Sequence, residues 1–177
     1  MLNYSEFMKS LEEQMSFYAA YHQDARNKAT HFIGVPAIML SLFIPLTWLQ
    51  VNLGGYVITG TVLLATVVIV YYAWLDPLLA FMSALVTALL ITAGEWISLQ
   101  GSVTAWLAFA CLFVGGWILQ LVGHAFEGRK PALADNLFQI FIAPIFLCAE
   151  LLFALGYKPG LHAAVQERAL RMRAGAN

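Results

Sequence analysis

Residues 56–96 read YVITGTVLLATVVIVYYAWLDPLLAFMSALVTALLITAGEW, and this run decides the fold class. Two apolar stretches flank an Asp-Pro pair, and each approaches the roughly 20 residues that a helix needs to cross a bilayer. The apolar character extends outward, because no lysine or arginine occurs between Lys28 and Arg129. The acidic residues of that interval are Asp76, Glu95 and Glu127. The pattern predicts an all-α, polytopic membrane protein.

The composition supports this interpretation and excludes several functions. Hydrophobic residues make up 61% of the 177-residue chain and charged residues 11%, against about 45–50% and about 25% in soluble domains. The net charge of −1 offers no polycationic surface for nucleic acid. Cys111 and Cys148 lie in apolar segments, as small buried hydrophobic residues do. Glycine-rich phosphate loops, nucleophile elbows, HExxH helices and CxxC pairs are absent from the sequence, which argues against nucleotide, serine-hydrolase and thiol-redox chemistry.

We predict a single integral membrane domain over residues 1–177. Residues 1–28 form an amphipathic helix, because Phe7, Leu11, Met15 and Tyr18 recur with the helical period. Residues 29–157 form the membrane bundle, and residues 158–177 a basic tail. Aromatic residues cluster near the ends of four predicted spans, as an interfacial belt requires. The spans are His31–Leu49, Tyr56–Leu75, Leu78–Trp96 and Val103–Phe126.

The last apolar run, Leu137–Tyr157, is interrupted by Pro144 and allows two interpretations. It is either a fifth span kinked at the proline or a re-entrant pair of half-helices. Four spans place a cytoplasmic N-terminal segment and the Arg129-Lys130 loop on the same side, in agreement with the positive-inside rule. A fifth full span would export the basic tail, so this rule favours the re-entrant pair.

Three histidines are candidates for a metal site at the membrane boundary. His22 and His31 lie before the first span and His124 closes the fourth, so an even number of crossings brings them to one level. Imidazole is the commonest neutral metal ligand. Glu127 follows His124 by three residues, on the same helix face. Two or three histidines with one carboxylate are typical of non-haem iron(II) oxygenases.

One geometric condition limits this prediction. His22 and His31 are nine residues apart, which places them about 180° from each other on an unbroken helix. They can bind one ion only if the helix breaks between them. The competing interpretation is that each histidine is interfacial, with its polar end in headgroups or water.

Other polar residues have assignable roles near these histidines. Arg129 and Lys130 are topogenic charges that can also bind a fatty-acid carboxylate. Glu150 lies inside an apolar segment, where a carboxylate is costly, so it is a candidate supporting residue. Asp24 is a second candidate for that role, and Asn27 lies one helical turn before His31. His162, in the tail, is interpreted as a surface residue.

Two segments resemble the 2-hydroxy fatty acid dioxygenase family, whose fungal member acts in phytosphingosine breakdown. They are residues 18–36, YAAYHQDARNKATHFIGVP, and residues 123–150, GHAFEGRKPALADNLFQIFIAPIFLCAE. The positions that carry the resemblance are Tyr21, His22, Asn27, His31, Gly34, Pro36, Gly123, His124, Glu127, Pro131, Ala132, Leu133, Asn136, Leu137, Gln139, Ala143, Pro144 and Glu150.

The resemblance implies an iron(II)-dependent dioxygenase of fatty-acid α-oxidation. A 2-hydroxy fatty acid and O₂ would give a fatty acid one carbon shorter, without 2-oxoglutarate. The catalytic, metal-binding residues would be His22, His31 and His124, to which our own inference adds Glu127 as a ligand. Substrate contacts are expected from Arg129, Lys130 and Asn27, with Asp24 and Glu150 behind the ligands.

The expected surroundings are a membrane, with lipid as a partner and no nucleic acid. The compact loops favour a bacterial inner membrane over the endoplasmic reticulum, with the site at the cytoplasmic boundary. Two further classes remain open: a non-catalytic lipid-binding membrane scaffold, which needs no metal, and a small transporter or channel. The transporter ranks last because it predicts ionisable residues at mid-membrane depth, and Glu150 alone comes close.

Overall fold

The structure is a computed structural model that describes residues 9–175, and this part of the chain is mainly helical. Its elements in chain order are α1 (Leu11–Ala19), α2 (Ala25–Leu46), β1 (Gln50–Leu53), β2 (Tyr56–Thr59), α3 (Gly60–Leu75), α4 (Pro77–Ser98), α5 (Ser102–Glu127), a 3₁₀ turn (Ala132–Ala134), α6 (Gln139–Ala154) and α7 (Pro159–Ala174). The helical class is confirmed.

The predicted amphipathic helix over residues 1–28 is wrong in its second half, and its first eight residues lie outside the described part. Helix α1 begins after a capping box in which Ser10 and Glu13 exchange hydrogen bonds. It ends at Ala19, and α2 starts only at Ala25. Asp24 starts this new helix, because its Oδ1 accepts from the backbone N–H of Arg26 at 2.8 Å. The chain therefore breaks over residues 20–24.

Three of the described helices are long and apolar enough to cross a membrane: α2, α4 and α5. The predicted span Tyr56–Leu75 is wrong at its start, because Tyr56–Thr59 pairs with Gln50–Leu53 in an antiparallel hairpin. Gly54 and Gly55 form its turn with positive φ, a conformation that glycine adopts without strain. Helix α3 has 16 residues, fewer than the roughly 20 that a helix needs to cross the hydrocarbon core.

Of the two interpretations of the last apolar run, the pair of half-helices is wrong, because α6 is a single helix; whether this helix crosses the membrane stays a prediction. It is continuous from Gln139 to Ala154 with Pro144 inside it. Its 16 residues are fewer than those predicted for Leu137–Tyr157, and half of them are buried, including Ile142, Ile145 and Phe146. Packing along this helix compensates for the hydrogen bond that a proline removes.

The described chain divides into two compact units. The first contains residues up to Phe32 and from Gln120 onward; the second is Ile33–Leu119. In the second unit, helices approach closely at glycines: a Cβ on Gly116 would lie 3.0 Å from the carbonyl oxygen of Gly34. Asp76 is a buried cap of α4, and its side chain accepts from the N–H groups of Leu78 and Leu79. The single membrane domain over residues 1–177 stays a prediction.

Candidate metal centre

Three histidine rings meet inside the first unit. The ligand-capable nitrogens of His22, His31 and His124 all lie within 4.8 Å of one another. Their ring centroids are 4.6 to 5.1 Å apart, with the planes at steep angles. All three side chains are buried, with at most 5% exposure. The structure thus joins the three histidines that the sequence singled out.

Each ring comes from a different local structure. His22 lies in the break between α1 and α2, His31 in the second turn of α2, and His124 in the last turn of α5. The nine-residue spacing required a break between His22 and His31, and the structure has one. Because the two residues are not on one continuous helix, their side chains can point to the same place. A continuous helix would have pointed these two side chains in opposite directions.

Backbone carbonyls determine the tautomers of two of the rings. Nδ1 of His22 lies 2.7 Å from the carbonyl oxygen of Tyr18, and Nδ1 of His31 lies 2.9 Å from that of Asn27. A carbonyl can only accept, so both Nδ1 atoms must carry the hydrogen. The two Nε2 atoms face each other at 3.1 Å. In the neutral rings both carry lone pairs, which repel unless a proton or a metal cation lies between them.

The surroundings of His22 disfavour a proton between the two Nε2 atoms. Burial holds the pKa of His22 well below its usual range, and the neighbouring imidazole of His31 lowers it further. The His22 ring is therefore neutral at physiological pH and available as a ligand. The arrangement resembles metal sites in which the second ring nitrogen of each histidine donates to a carbonyl and orients the ligand.

The distance between His22 and His31 fits a shared transition-metal ion. Two nitrogens about 2.1 Å from one ion, at bond angles between octahedral and tetrahedral, are about 3.0–3.4 Å apart. The 3.1 Å between the Nε2 atoms of His22 and His31 lies in this range. Nδ1 of His124 is buried and has no hydrogen-bond partner among the described residues. Three neutral imidazoles suit iron, zinc, copper or nickel.

Glu127, which we expected to be a further ligand, is held by other groups. Its Oε2 accepts from the backbone N–H groups of Gln23 and Asp24, at 2.9 and 2.7 Å, and from Nδ2 of Asn27 at 3.2 Å. Its Oε1 accepts from Nη1 of Arg173. The carboxylate therefore ties the break to α5, and a role as metal ligand stays a prediction.

The comparisons with known proteins identify the family. The model of the family described as 2-hydroxy-palmitic acid dioxygenase Mpo1-like matches residues 8–155. The chain belongs to the Mpo1-like family. It is 34% identical, over 176 residues, to the Saccharomyces cerevisiae protein 2-hydroxy-palmitic acid dioxygenase MPO1. The alignment covers 95% of this chain and 98% of the yeast protein. No solved structure matches it. The family resemblance of the two polar segments is thereby confirmed.

Small and aromatic residues shape this Mpo1-like site. Tyr18 stacks on His22 with centroids 4.0 Å apart and also contacts Phe146 at 4.6 Å. Gly123 lies where α5 approaches α2 so closely that an added Cβ would clash with Thr30 and Asn27. These contacts orient the rings and exclude water from their edges.

Among the other predicted site residues, Asn27 and Asp24 lie at the break beside the histidine cluster. Asn27 is fully buried beside His31 and also donates to the carbonyl of Tyr21 at 3.1 Å. Asp24 caps α2 and pairs with Arg26, and these hydrogen bonds lower the pKa of its carboxyl to about 2. Both residues support the break that carries His22.

The two loop cations contact other groups. Lys130 pairs with Asp135 at 2.5 Å, and Nη2 of Arg129 donates to the carbonyl of Arg173 at 3.3 Å. Asp135 also accepts from the hydroxyl of Tyr21 at 2.6 Å. Burial and this hydrogen bond raise the pKa of Tyr21 to about 12, so the hydroxyl keeps its proton. Substrate binding by Arg129 and Lys130 stays a prediction.

Sequence reasoning missed two residues of this region, Lys28 and Arg173. Lys28 pairs with Glu150 at 2.7 Å, and Oε1 of Glu150 is buried without a hydrogen-bond partner in the described chain. A lone lysine before an apolar run suggested only topology. Arg173 lies in the tail, where basic residues also suggested topology. The i,i+3 spacing of Lys28 and His31 was the one available signal.

Proposed function

We propose that this chain is an iron(II)-dependent dioxygenase that converts a 2-hydroxy fatty acid and O₂ into the fatty acid one carbon shorter. The observation that carries the proposal is the pair of Nε2 atoms of His22 and His31, which face each other at 3.1 Å in a buried cluster with His124. The yeast relative is named a 2-hydroxy-palmitic acid dioxygenase, which supports the substrate class and the use of dioxygen.

The proposed reaction balances without a cosubstrate. Cleavage of the C1–C2 bond releases C1 as CO₂, while C2 changes from a secondary alcohol to a carboxylic acid. C2 loses three electrons and C1 loses one, which together match the four electrons that O₂ accepts. One oxygen atom enters the new carboxyl group, and the remainder leaves as water. Neither 2-oxoglutarate nor an external reductant is therefore needed.

The residues of the chain would hold and orient the reactants. His22, His31 and His124 would bind the iron with neutral nitrogens, and three protein ligands leave coordination positions open. A bound iron(II) ion would supply the one-electron steps by which dioxygen reacts with an organic substrate. Asn27 and Glu127 would keep the break in place. Arg129 and Lys130 remain our candidates for contacting the substrate carboxylate, which requires exchange of their present partners.

A membrane setting suits this substrate class. Helices α2, α4 and α5 are compatible with membrane association. Large apolar side chains along α3 to α5 are exposed, among them Val67, Leu89 and Leu107. Such surfaces are unfavourable in water and favourable in lipid. We propose an integral membrane enzyme whose long-chain substrate reaches it from the bilayer.

The test uses detergent-purified, full-length protein prepared without oxygen. Iron content is measured, 2-hydroxy-palmitic acid and air are supplied, and the C15 acid is quantified by mass spectrometry. We expect iron-dependent product from the native protein, and its loss in His22→Ala and His124→Ala. His162→Ala is the matched control, because this histidine lies in α7, stacks on Phe153 of α6 and is outside the cluster.

Each outcome has a defined meaning. Product of equal yield from iron-free protein, or full turnover by His124→Ala, would contradict the proposed chemistry. Folded protein that binds no metal and forms no product would favour the lipid-binding scaffold.

A further inference from the structure

The C-terminal helix α7 docks firmly in the first unit. Val165 and Ala169 are completely buried, and Arg168 reaches back to Glu13 of α1 at 3.1 Å. Contacts of this kind hold the last turn of α7 next to the break between α1 and α2. The family match ends at residue 155, before this helix begins.

Arg173, in that last turn, contacts both the break and the carboxylate that anchors it. Its Nη1 donates to Oε1 of Glu127 and, at 3.3 Å, to the carbonyl oxygen of Ala20. The Glu127 side chain is only 1% exposed and that of Arg173 is 26% exposed. Arg129 adds a hydrogen bond to the backbone carbonyl of Arg173. A single guanidinium therefore bridges the end of α1 and the carboxylate that anchors the break.

This bridge bears on the position of His22. The N–H groups of Gln23 and Asp24 are held by Oε2 of Glu127, immediately after His22 in the chain. A buried carboxylate is costly without a cationic partner. Removing Arg173 would leave the Glu127 carboxylate to rehydrate or to turn towards another donor, and the anchored backbone would move with it.

We propose that Arg173 is a positioning residue of the metal centre, which acts through Glu127 on the backbone that carries His22, and that α7 is thus part of the site. The inference rests on the proposed function, since it assumes that the three histidines bind a metal. It assigns to the tail a role that its sequence did not indicate. Arg173 itself touches neither metal nor substrate.

The experiment measures metal affinity on full-length, metal-free protein in detergent. Co²⁺ is the probe, because its visible d–d absorption reports both binding and coordination geometry. The variants are Arg173→Ala and Arg173→Lys. Arg171→Ala is the control on the same helix, because Arg171 is exposed and pairs with Glu167 within α7. Arg168→Ala is a second control, which weakens the docking of α7 without touching Glu127.

We expect Arg173→Ala to bind Co²⁺ about 10- to 100-fold more weakly, the usual effect of losing a group that orients a ligand. The changed ligand geometry should also alter the absorption spectrum. Arg173→Lys should recover part of the affinity, because it restores the charge but not the forked donor. Both controls should stay within about twofold of the native protein, even where Arg168→Ala lowers the melting temperature.

Four results would overturn the inference. Native-like Co²⁺ affinity and spectrum in Arg173→Ala would remove the positioning role while leaving the metal site intact. Equal weakening by Arg168→Ala would show that α7 contributes only general stability. If Arg173→Ala does not fold, Arg173→Lys decides, and native affinity there would refute a role for the guanidinium. A native protein that binds no Co²⁺ refutes both this inference and the proposed metal centre.

Discussion

Gly123→Ala is the sharpest small perturbation of the site, because it adds a single methyl group where α5 approaches α2. The added Cβ would lie less than 3.0 Å from Oγ1 of Thr30 and from Oδ1 of Asn27, and 3.3 Å from Nδ1 of His31. Ordinary contacts begin at 3.4 Å, and neither oxygen lies at the end of a long flexible side chain. The two helix faces must therefore separate.

The magnitude follows from two opposing effects. Overpacking of this kind costs about 1–3 kcal/mol, while replacing glycine by alanine inside a helix contributes about 0.5–1 kcal/mol of stability. We expect a net loss of about 1–2 kcal/mol. The effect on metal binding should be larger in relative terms, because ligand positions tolerate only about 0.2 Å. Separation of α5 from α2 moves His124 away from His31, so metal affinity should fall at least about tenfold.

Gly115→Ala is the matched control. Gly115 lies on the same helix, but a Cβ there meets nothing within 4 Å. Thermal unfolding and Co²⁺ titration of both variants provide the comparison. Gly115→Ala should keep native affinity and equal or exceed native stability. Identical affinity in Gly123→Ala and Gly115→Ala would refute the close packing that we describe between His31 and His124.

Three further substitutions test the supports of the site. Ser10→Ala removes the cap of α1 and should cost about 1 kcal/mol in thermal unfolding, with Co²⁺ affinity unchanged; weakened metal binding would contradict the separation of this cap from the site. Tyr21→Phe loses the hydrogen bond to Asp135 and should cost about 0.5–1.5 kcal/mol, whereas an unchanged melting temperature would show that this bond contributes nothing. Lys28→Met leaves the Glu150 carboxylate without its cation and should destabilise by about 1–3 kcal/mol. Adding Glu150→Gln should restore most of that stability, and additive losses in the double variant would disprove the pair.

The fold was predictable where apolar length alone decides it. Helices α4 and α5 lie within a few residues of their predicted spans, because long apolar runs have few alternatives. The hairpin before α3 was missed although the Gly54-Gly55 pair, followed by the β-branched residues 57–59, is a hairpin signal. Because Tyr56–Thr59 is apolar and directly precedes α3, the sequence analysis assigned it to the predicted span Tyr56–Leu75. At Pro144 the sequence favoured a break between two half-helices, but the largely buried helix α6 continues through the proline.

The cluster of three histidines was predictable from the sequence, but the contacts that support it were not. Four predicted crossings place His22, His31 and His124 at one level of the membrane boundary, and this prediction needs no knowledge of side-chain packing. The sequence showed only that a break was needed if His22 and His31 bind one ion, and it did not locate that break at residues 20–24. The acceptor that stabilises the break is Glu127, more than a hundred residues away in the chain. Arg173 was missed for the same reason. Contacts between distant segments leave no periodic signal in a single sequence.

The most direct test of the central claim is the iron K-edge X-ray absorption spectrum of anaerobically loaded protein. We predict nitrogen scatterers at about 2.1 Å with the multiple-scattering pattern of about three imidazoles per iron. One imidazole fewer is expected in His31→Ala if that variant still retains iron. A native spectrum without imidazole scattering, or protein that takes up no iron, would contradict a metal centre built from His22, His31 and His124.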